Sequence, residues 1–298
     1  MLEIKKKTQL KEGYTMMHEH ITIDLSGIKN DDACLNEVEE TIKEFKELYR
    51  YGVRNILDVT AIGMGRNSTY VQKVAEETGI NILQSTGFYK DPFLPTIVET
   101  SSVEELAELF VREIEEGIDG GIIKASCIGE IGTSKQEMTA SEEKVFAAAV
   151  IAAKKTNALI STHTTLGSFA REQAQFFLKH GVEPSRVIIG HLALANDLEL
   201  IKDIIRLGFN VAFDTIGKKS YLPEKERVHF LLELEKEGML NHVVMSVDIT
   251  RKSHLKKNGG IGYAYLFENF IPLLKEAGFK EESLNRILVE NPKRLLNR

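Results

Sequence analysis

The sequence predicts an α/β fold, a (β/α)8 TIM barrel of parallel strands in a single domain. Three observations predict it: eight short runs rich in Ile and Val, a segment of helical period between successive runs, and the absence of a nucleotide-binding glycine loop after the first run.

The runs expected as strands are Thr15–Ile21, Asn55–Thr60, Asn81–Thr86, Gly121–Cys127, Ala158–Thr164, Val187–His191, Asn210–Asp214 and His242–Asp248. Nearly every position in them is apolar, as a parallel strand covered on both faces requires. Between them, Leu35, Val38, Ile42, Phe45 and Leu48 recur at helical spacing, as do Val103, Leu106, Phe110 and Ile114, and Leu266, Phe270, Ile271 and Leu274. Asp197 and Ser101-Ser102 sit where helices should start, and Gly52, Gly79 and Gly208 where they should stop. Strict alternation implies right-handed crossovers, and eight units in one chain suit a closed barrel. Residues 1–13 are expected as an N-terminal extension, and Arg286–Leu296 as a closing helix or turn packed on the barrel.

Composition narrows the function. With 298 residues, 43% hydrophobic and 28% charged, the chain suits a soluble globular protein. A net charge of −6 argues against a nucleic-acid partner, and no apolar run is long enough to span a bilayer. No secretory signal is expected in the lysine-rich start, and the two cysteines, Cys34 and Cys127, lie far apart. A cytoplasmic location is therefore expected.

His18-Glu19-His20 is the strongest local signal, since side chains two apart on a strand share a face. Alone it could be two surface histidines beside a turn. His163, His191 and Asp248 end the fifth, sixth and eighth runs, where barrel active sites sit. Each alone is more often a satisfied polar group than a ligand. Together they place four imidazoles and a carboxylate on one rim. Converging neutral imidazoles would compete for donors they lack, and Zn2+, Mn2+, Co2+ or Ni2+ would satisfy them.

Met17-His18-Glu19-His20, Ile131-Gly132-Thr133-Ser134, Glu142–Phe146, Ser161-Thr162-His163-Thr164, Gly190-His191, Phe213–Gly217 and Glu290-Asn291-Pro292 run in an order that resembles the phosphotriesterase family of the amidohydrolase superfamily. Within it the chain is most similar to the phosphotriesterase homology proteins. The resemblance covers nearly the whole chain from about Tyr14 and is specific only as a set. It implies two divalent ions, most simply zinc. His18, His20 and Asp248 would hold the more buried ion, and His163 and His191 the more exposed one. It also implies a bridging ligand after the fourth strand. Many relatives use a carboxylated lysine there, whereas this sequence offers Glu130, with Lys124 as the competitor. A homodimer is common in the family.

From the charges, a hydroxide bridging two such ions would attack an ester or lactone, with Asp248 taking the proton. Lys218, Tyr221 and Arg251, in the loops after the seventh and eighth strands, are expected to contact a small anionic substrate, such as a phosphorylated sugar lactone. Arg66, Asn67 and Tyr89 are weaker rim candidates, and the glycine-rich stretch Lys256–Gly262 is either a closing loop or a mobile connector. Two competitors remain: an organophosphate triester hydrolase with the same ions, and a non-catalytic metal-dependent binding protein. The basic loops argue against a neutral triester, and pure binding does not need a proton acceptor at Asp248.

Overall fold

A computed structural model describes residues 10–297. Of the expected N-terminal extension, residues 1–9 lie outside the described residues. Eight barrel strands run in chain order: β1 (Tyr14–Glu19), β2 (Val53–Asp58), β3 (in two pieces, Asn81–Leu83 and Ser85–Thr86), β4 (Cys127–Thr133), β5 (Leu159–Thr164), β6 (Val187–Ile189), β7 (Asn210–Phe213) and β8 (Val243–Met245). Each pairs in parallel with the next. Side chains stitch the closing seam between β8 and β1. His18 donates its backbone N–H to Ser246 Oγ at 2.8 Å, and the Glu19 carboxylate accepts the N–H groups of Val247, Asp248 and Ile249 at 2.7, 3.2 and 3.2 Å.

Helices Val38–Arg50, Ser68–Thr78, Val103–Glu115, Ala140–Thr156, Ala170–Lys179, Leu198–Arg206 and Glu224–Lys236 follow β1 to β7 in turn. Their starts follow the sequence signals: Ser102 and Glu105 form a reciprocal cap, and the Asp197 side chain accepts from Leu200 N–H at 3.0 Å. A short antiparallel ribbon, Ile23–Asp24 with Cys34–Leu35, rises between β1 and the first helix. The closing segment Asn291–Leu296 is helical and seals the barrel floor.

The fourth strand is corrected. Gly121–Cys127 was expected; the strand is Cys127–Thr133. Ile122 in the expected run is 89% exposed, because the chain turns through Ile118–Gly120 and Ile118 N–H bonds back to Ile123 O at 2.7 Å. Two β-branched residues outweighed a true strand diluted by Gly129, Glu130 and Gly132. Both glycines are required by packing: a Cβ on Gly129 would collide with the Ser161 carbonyl, and one on Gly132 would crowd His163.

The sixth and eighth strands also end early. His191 and Asp248 take left-handed backbone, with φ of 55° and 60°, which no strand continues. Inside the barrel, one apolar residue per strand (two from the β2 side) makes a plug: Met17, Leu57, Val59, Leu83, Cys127, Leu159, Ile188, Ala212 and Val244, closed below by Leu295 and Leu296. The larger core lies between the barrel and its helices.

Candidate metal centre

Directly above the plug, the strand ends deliver His18, His20, Glu130, His163, His191 and Asp248 to one buried cluster. Glu130 is its hub and is 3% exposed. Its Oε2 lies 3.4 Å from His18 Nε2, 3.2 Å from His163 Nδ1 and 3.6 Å from His191 Nε2, and its Oε1 lies 3.3 Å from His20 Nε2. Asp248 Oδ1 lies 3.4 Å from His20 Nε2 and 3.8 Å from His18 Nε2. Most of these separations are long for hydrogen bonds. Two donors each about 2.1 Å from one tetrahedral ion sit about 3.4 Å apart, so the spacing suits shared coordination. Both nitrogens of His18, His20 Nε2 and Asp248 Oδ1 are buried with no hydrogen-bond partner. Buried polar atoms are rarely left so. The donor set therefore fits divalent cations.

A second layer of groups aims these donors. Thr60 Oγ1 donates to Thr22 O at 2.7 Å, so it must accept from His20 Nδ1–H at 2.9 Å. That fixes the tautomer and turns the His20 Nε2 lone pair toward Glu130. Asp214 accepts the His191 backbone N–H at 3.0 Å and its Nδ1–H at 2.8 Å, presenting Nε2 in the same way. Glu19 and Asp214 thus hold the backbone N–H of Asp248 and His191, the two left-handed residues of the cluster.

The electrostatics follow from crowding. Burial alone would raise the Glu130 carboxyl, but His163, His18, His191 and His20 hold it well below its usual value. Burial would likewise raise Asp248, but Lys218 and His20 pull it down. Burial, then the charge of His191, lowers His163 to about 4, a neutral imidazole suited to ligation. Burial raises Glu19 to about 7 against its three backbone donors.

A cleft of about 280 Å³ opens over the cluster and includes Lys218, Tyr221 and Arg251 in its lining, as expected from the loops after β7 and β8. The Lys218 ammonium pairs with Asp248 Oδ2, Tyr221 is 51% exposed at the mouth, and Arg251 NH1 lies 3.6 Å from Asp32 Oδ2. Lys124 is exposed and outside the cluster. Arg66 is bound to Glu113 and Asp119, and Asn67 caps a helix; Tyr89 does reach the centre, its hydroxyl 3.3 Å from His163 Nε2. Lys256, at the head of the glycine-rich stretch, is tied to Glu47 and Glu268 at 2.7 Å each.

Sequence reasoning missed Asp214, Thr60, the role of Glu19, and two cleft lysines, Lys29 and Lys90. Asp214 was findable, since it ends the seventh run as Asp248 ends the eighth. The lysines lie on loops with no periodic signal.

A parallel barrel with clustered imidazoles and carboxylates at the C-terminal ends of its strands defines a metal-dependent hydrolase. The chain belongs to the phosphotriesterase family, whose profile matches residues 5–296. It is 48% identical to the phosphotriesterase homology protein of Escherichia coli, over 94% of this chain and 96% of that protein. A crystal structure of that relative with phosphate in its active site superposes with a TM-score of 0.93, covering 95% of this chain and 98% of the other. An aryldialkylphosphatase of Saccharolobus solfataricus is 33% identical over 96% of this chain and 95% of its own length. A phospho-furanose lactonase of Mycoplasmopsis synoviae is 30% identical over 96% of this chain and 85% of its own length. No helix among the described residues is long and apolar enough to cross a membrane.

Proposed function

We propose that this chain hydrolyses a phosphorylated lactone at a centre of two divalent cations, zinc in the simplest case. His18, His20 and Asp248 would hold the deeper cation, His163 and His191 the outer one, and Glu130 both. The observation that carries this is Glu130, which lies within 3.6 Å of four imidazoles. A carboxylate needs no prior modification to bridge two cations. Bound cations would lower the pKa of a water and draw charge from the substrate's carbonyl or phosphoryl oxygen.

The residues' own work is proton handling and placement. Asp248 points Oδ1 toward His20 and His18 and gives Oδ2 to Lys218. It takes the proton released on attack and returns it to the leaving oxygen. Lys218 keeps that carboxylate ionised beforehand. The cleft, small and rimmed by Lys29, Lys90, Lys218 and Arg251, suits a compact anion better than a neutral triester. The lactonase relative supports the same substrate class. Two free cysteines, Cys34 and Cys127, agree with a cytoplasmic enzyme, and we extend the proposal to a homodimer of single-domain chains.

The deciding experiment is a kcat/KM panel on protein of measured metal content, with a phosphorylated lactone, its unphosphorylated form and a neutral phosphotriester. The phosphorylated lactone should rank first. A preference for the triester would favour the organophosphatase alternative, and no turnover of any of them would leave only a binding role.

A further inference from the structure

Arg227 is among the largest fully buried side chains of the described residues, at 0% exposure. Two effects oppose a cation there. Burial works against its charge, and it is the fourth residue of the helix Glu224–Lys236, close to the end where the helix dipole repels a cation. Neither Arg227 nor its ion-pair partner Glu224 lines the cleft, and the proposed reaction uses neither.

What the guanidinium does hold is the loop after β7. Arg227 Nη2 donates to Thr215 O at 2.9 Å and lies 3.5 Å from Lys218 O, while Nη1 donates to Leu222 O. The first two carbonyls already accept from the loop itself, Thr215 O from Lys218 N–H at 3.1 Å and Lys218 O from Tyr221 N–H at 3.0 Å. Arg227 thus takes the remaining lone pairs of the turn around Lys218. Glu224 completes the mould: its Oε2 lies 3.3 Å from Arg227 Nη1, and its Oε1 accepts Gly217 N–H at 2.7 Å. The loop so gripped carries Thr215, Lys218 and Tyr221 into the cleft wall, with the Lys218 ammonium on Asp248.

We propose that Arg227 is a positioning residue: by gripping the turn from Thr215 to Leu222 from outside the cleft, it seats the Lys218 ammonium against Asp248. Buried ion pairs often add no net stability over apolar side chains of like volume. A planar fork, however, holds several carbonyls at set angles, which an apolar side chain or a point charge cannot do. The inference rests on the hydrolase proposal only for what Lys218 does once seated.

The test first reads the placement of Lys218 without any substrate. The metal-loaded full chain is acetylated with acetic anhydride, and initial rates at each lysine are followed by mass spectrometry for the parent, Arg227→Lys and Arg227→Met. Lys218 should react at least about tenfold faster in Arg227→Met and by an intermediate factor in Arg227→Lys, which keeps the charge but loses the fork. Lys144, whose ammonium donates to the carbonyls of Val98, Glu99 and Ser101, should keep its parental rate, because the fold is intact. Steady-state assays on a phosphorylated lactone then compare Arg227→Met, Lys218→Met and the double variant. Arg227→Met should lower kcat/KM at least about tenfold in the parent but only within about twofold in the Lys218→Met background, because both act through one ammonium. Should Arg227→Met not fold, Arg227→Lys carries both arms. An unchanged Lys218 rate, an equal rise at Lys144, or additive losses of kcat/KM would each overturn the proposal. If Lys218 alone reacts faster and no lactone is turned over, the positioning role stands and only the hydrolase proposal fails.

Discussion

The two ends of the barrel treat buried polar groups in opposite ways. At the floor, three buried asparagines find partners. Asn55 donates to Lys11 O at 2.8 Å and accepts from Lys11 N–H at 2.8 Å and from Asn81 Nδ2 at 3.1 Å. Asn210 Nδ2 donates to Ser185 O and Val187 O, each at 3.0 Å, while its Oδ1 accepts from Arg294 at 2.7 Å. Asn291 Nδ2 donates to Leu240 O and Val243 O, each at 2.7 Å. At the rim, by contrast, both His18 nitrogens, His20 Nε2 and Asp248 Oδ1 have no partner, and two residues sit in left-handed backbone. The difference separates polar residues that hold the barrel together from polar residues kept ready for a ligand.

Substitutions at the two ends should therefore separate activity from stability. The largest effect is expected from Asp248→Asn, which keeps the shape but removes the proton acceptor. Metal content should stay near the parent while kcat falls by roughly 10²- to 10⁴-fold in steady-state assays. A parental kcat would remove Asp248 from proton transfer. Next comes Asp214→Asn, which disturbs the group that orients His191. Metal affinity, followed by competition with a chelator, should drop about 10- to 100-fold. Were affinity unchanged, Asp214 would belong with the structural residues of the floor.

At the floor the sign of the comparison reverses. Asn210→Ala leaves two carbonyls and Arg294 short of a partner and should cost about 1–3 kcal/mol in denaturant unfolding, with kcat unaltered. A fall in kcat at full metal content would show that the two ends are coupled. The smallest effect should come from the outer helices: Ser102→Ala loses a reciprocal cap and about 1 kcal/mol of stability, with no change in activity.

The same contrast governs what the sequence could disclose. The apolar runs of β5, β6 and β8 made His163, His191 and Asp248 readable as strand-end residues, and His163 and Asp248 also stand an even number of residues from a plug residue, Leu159 and Val244. His18, His20, Glu130 and His191 break that count. His18 and Glu130 lie where pairing shifts register, between Met16 and Glu19 and between Ile128 and Ile131, and His191 lies where the backbone turns left-handed. Parity with the plug places none of these four, and Glu130 is offered instead by the family resemblance. The fourth strand was misplaced for the same reason, since a strand bent to deliver a carboxylate carries glycines in place of Ile and Val. The supporting groups, Thr60 and Glu19, act through contacts between residues distant in sequence, to which local pattern is blind.

In the proposed function the rim holds a pair of cations around Glu130. Anomalous diffraction at the zinc edge, from crystals grown with zinc, tests it most directly. Two peaks are expected to flank the Glu130 carboxylate, one among His18, His20 and Asp248 and the other between His163 and His191. A single peak, or none within coordinating distance of Glu130, would contradict it.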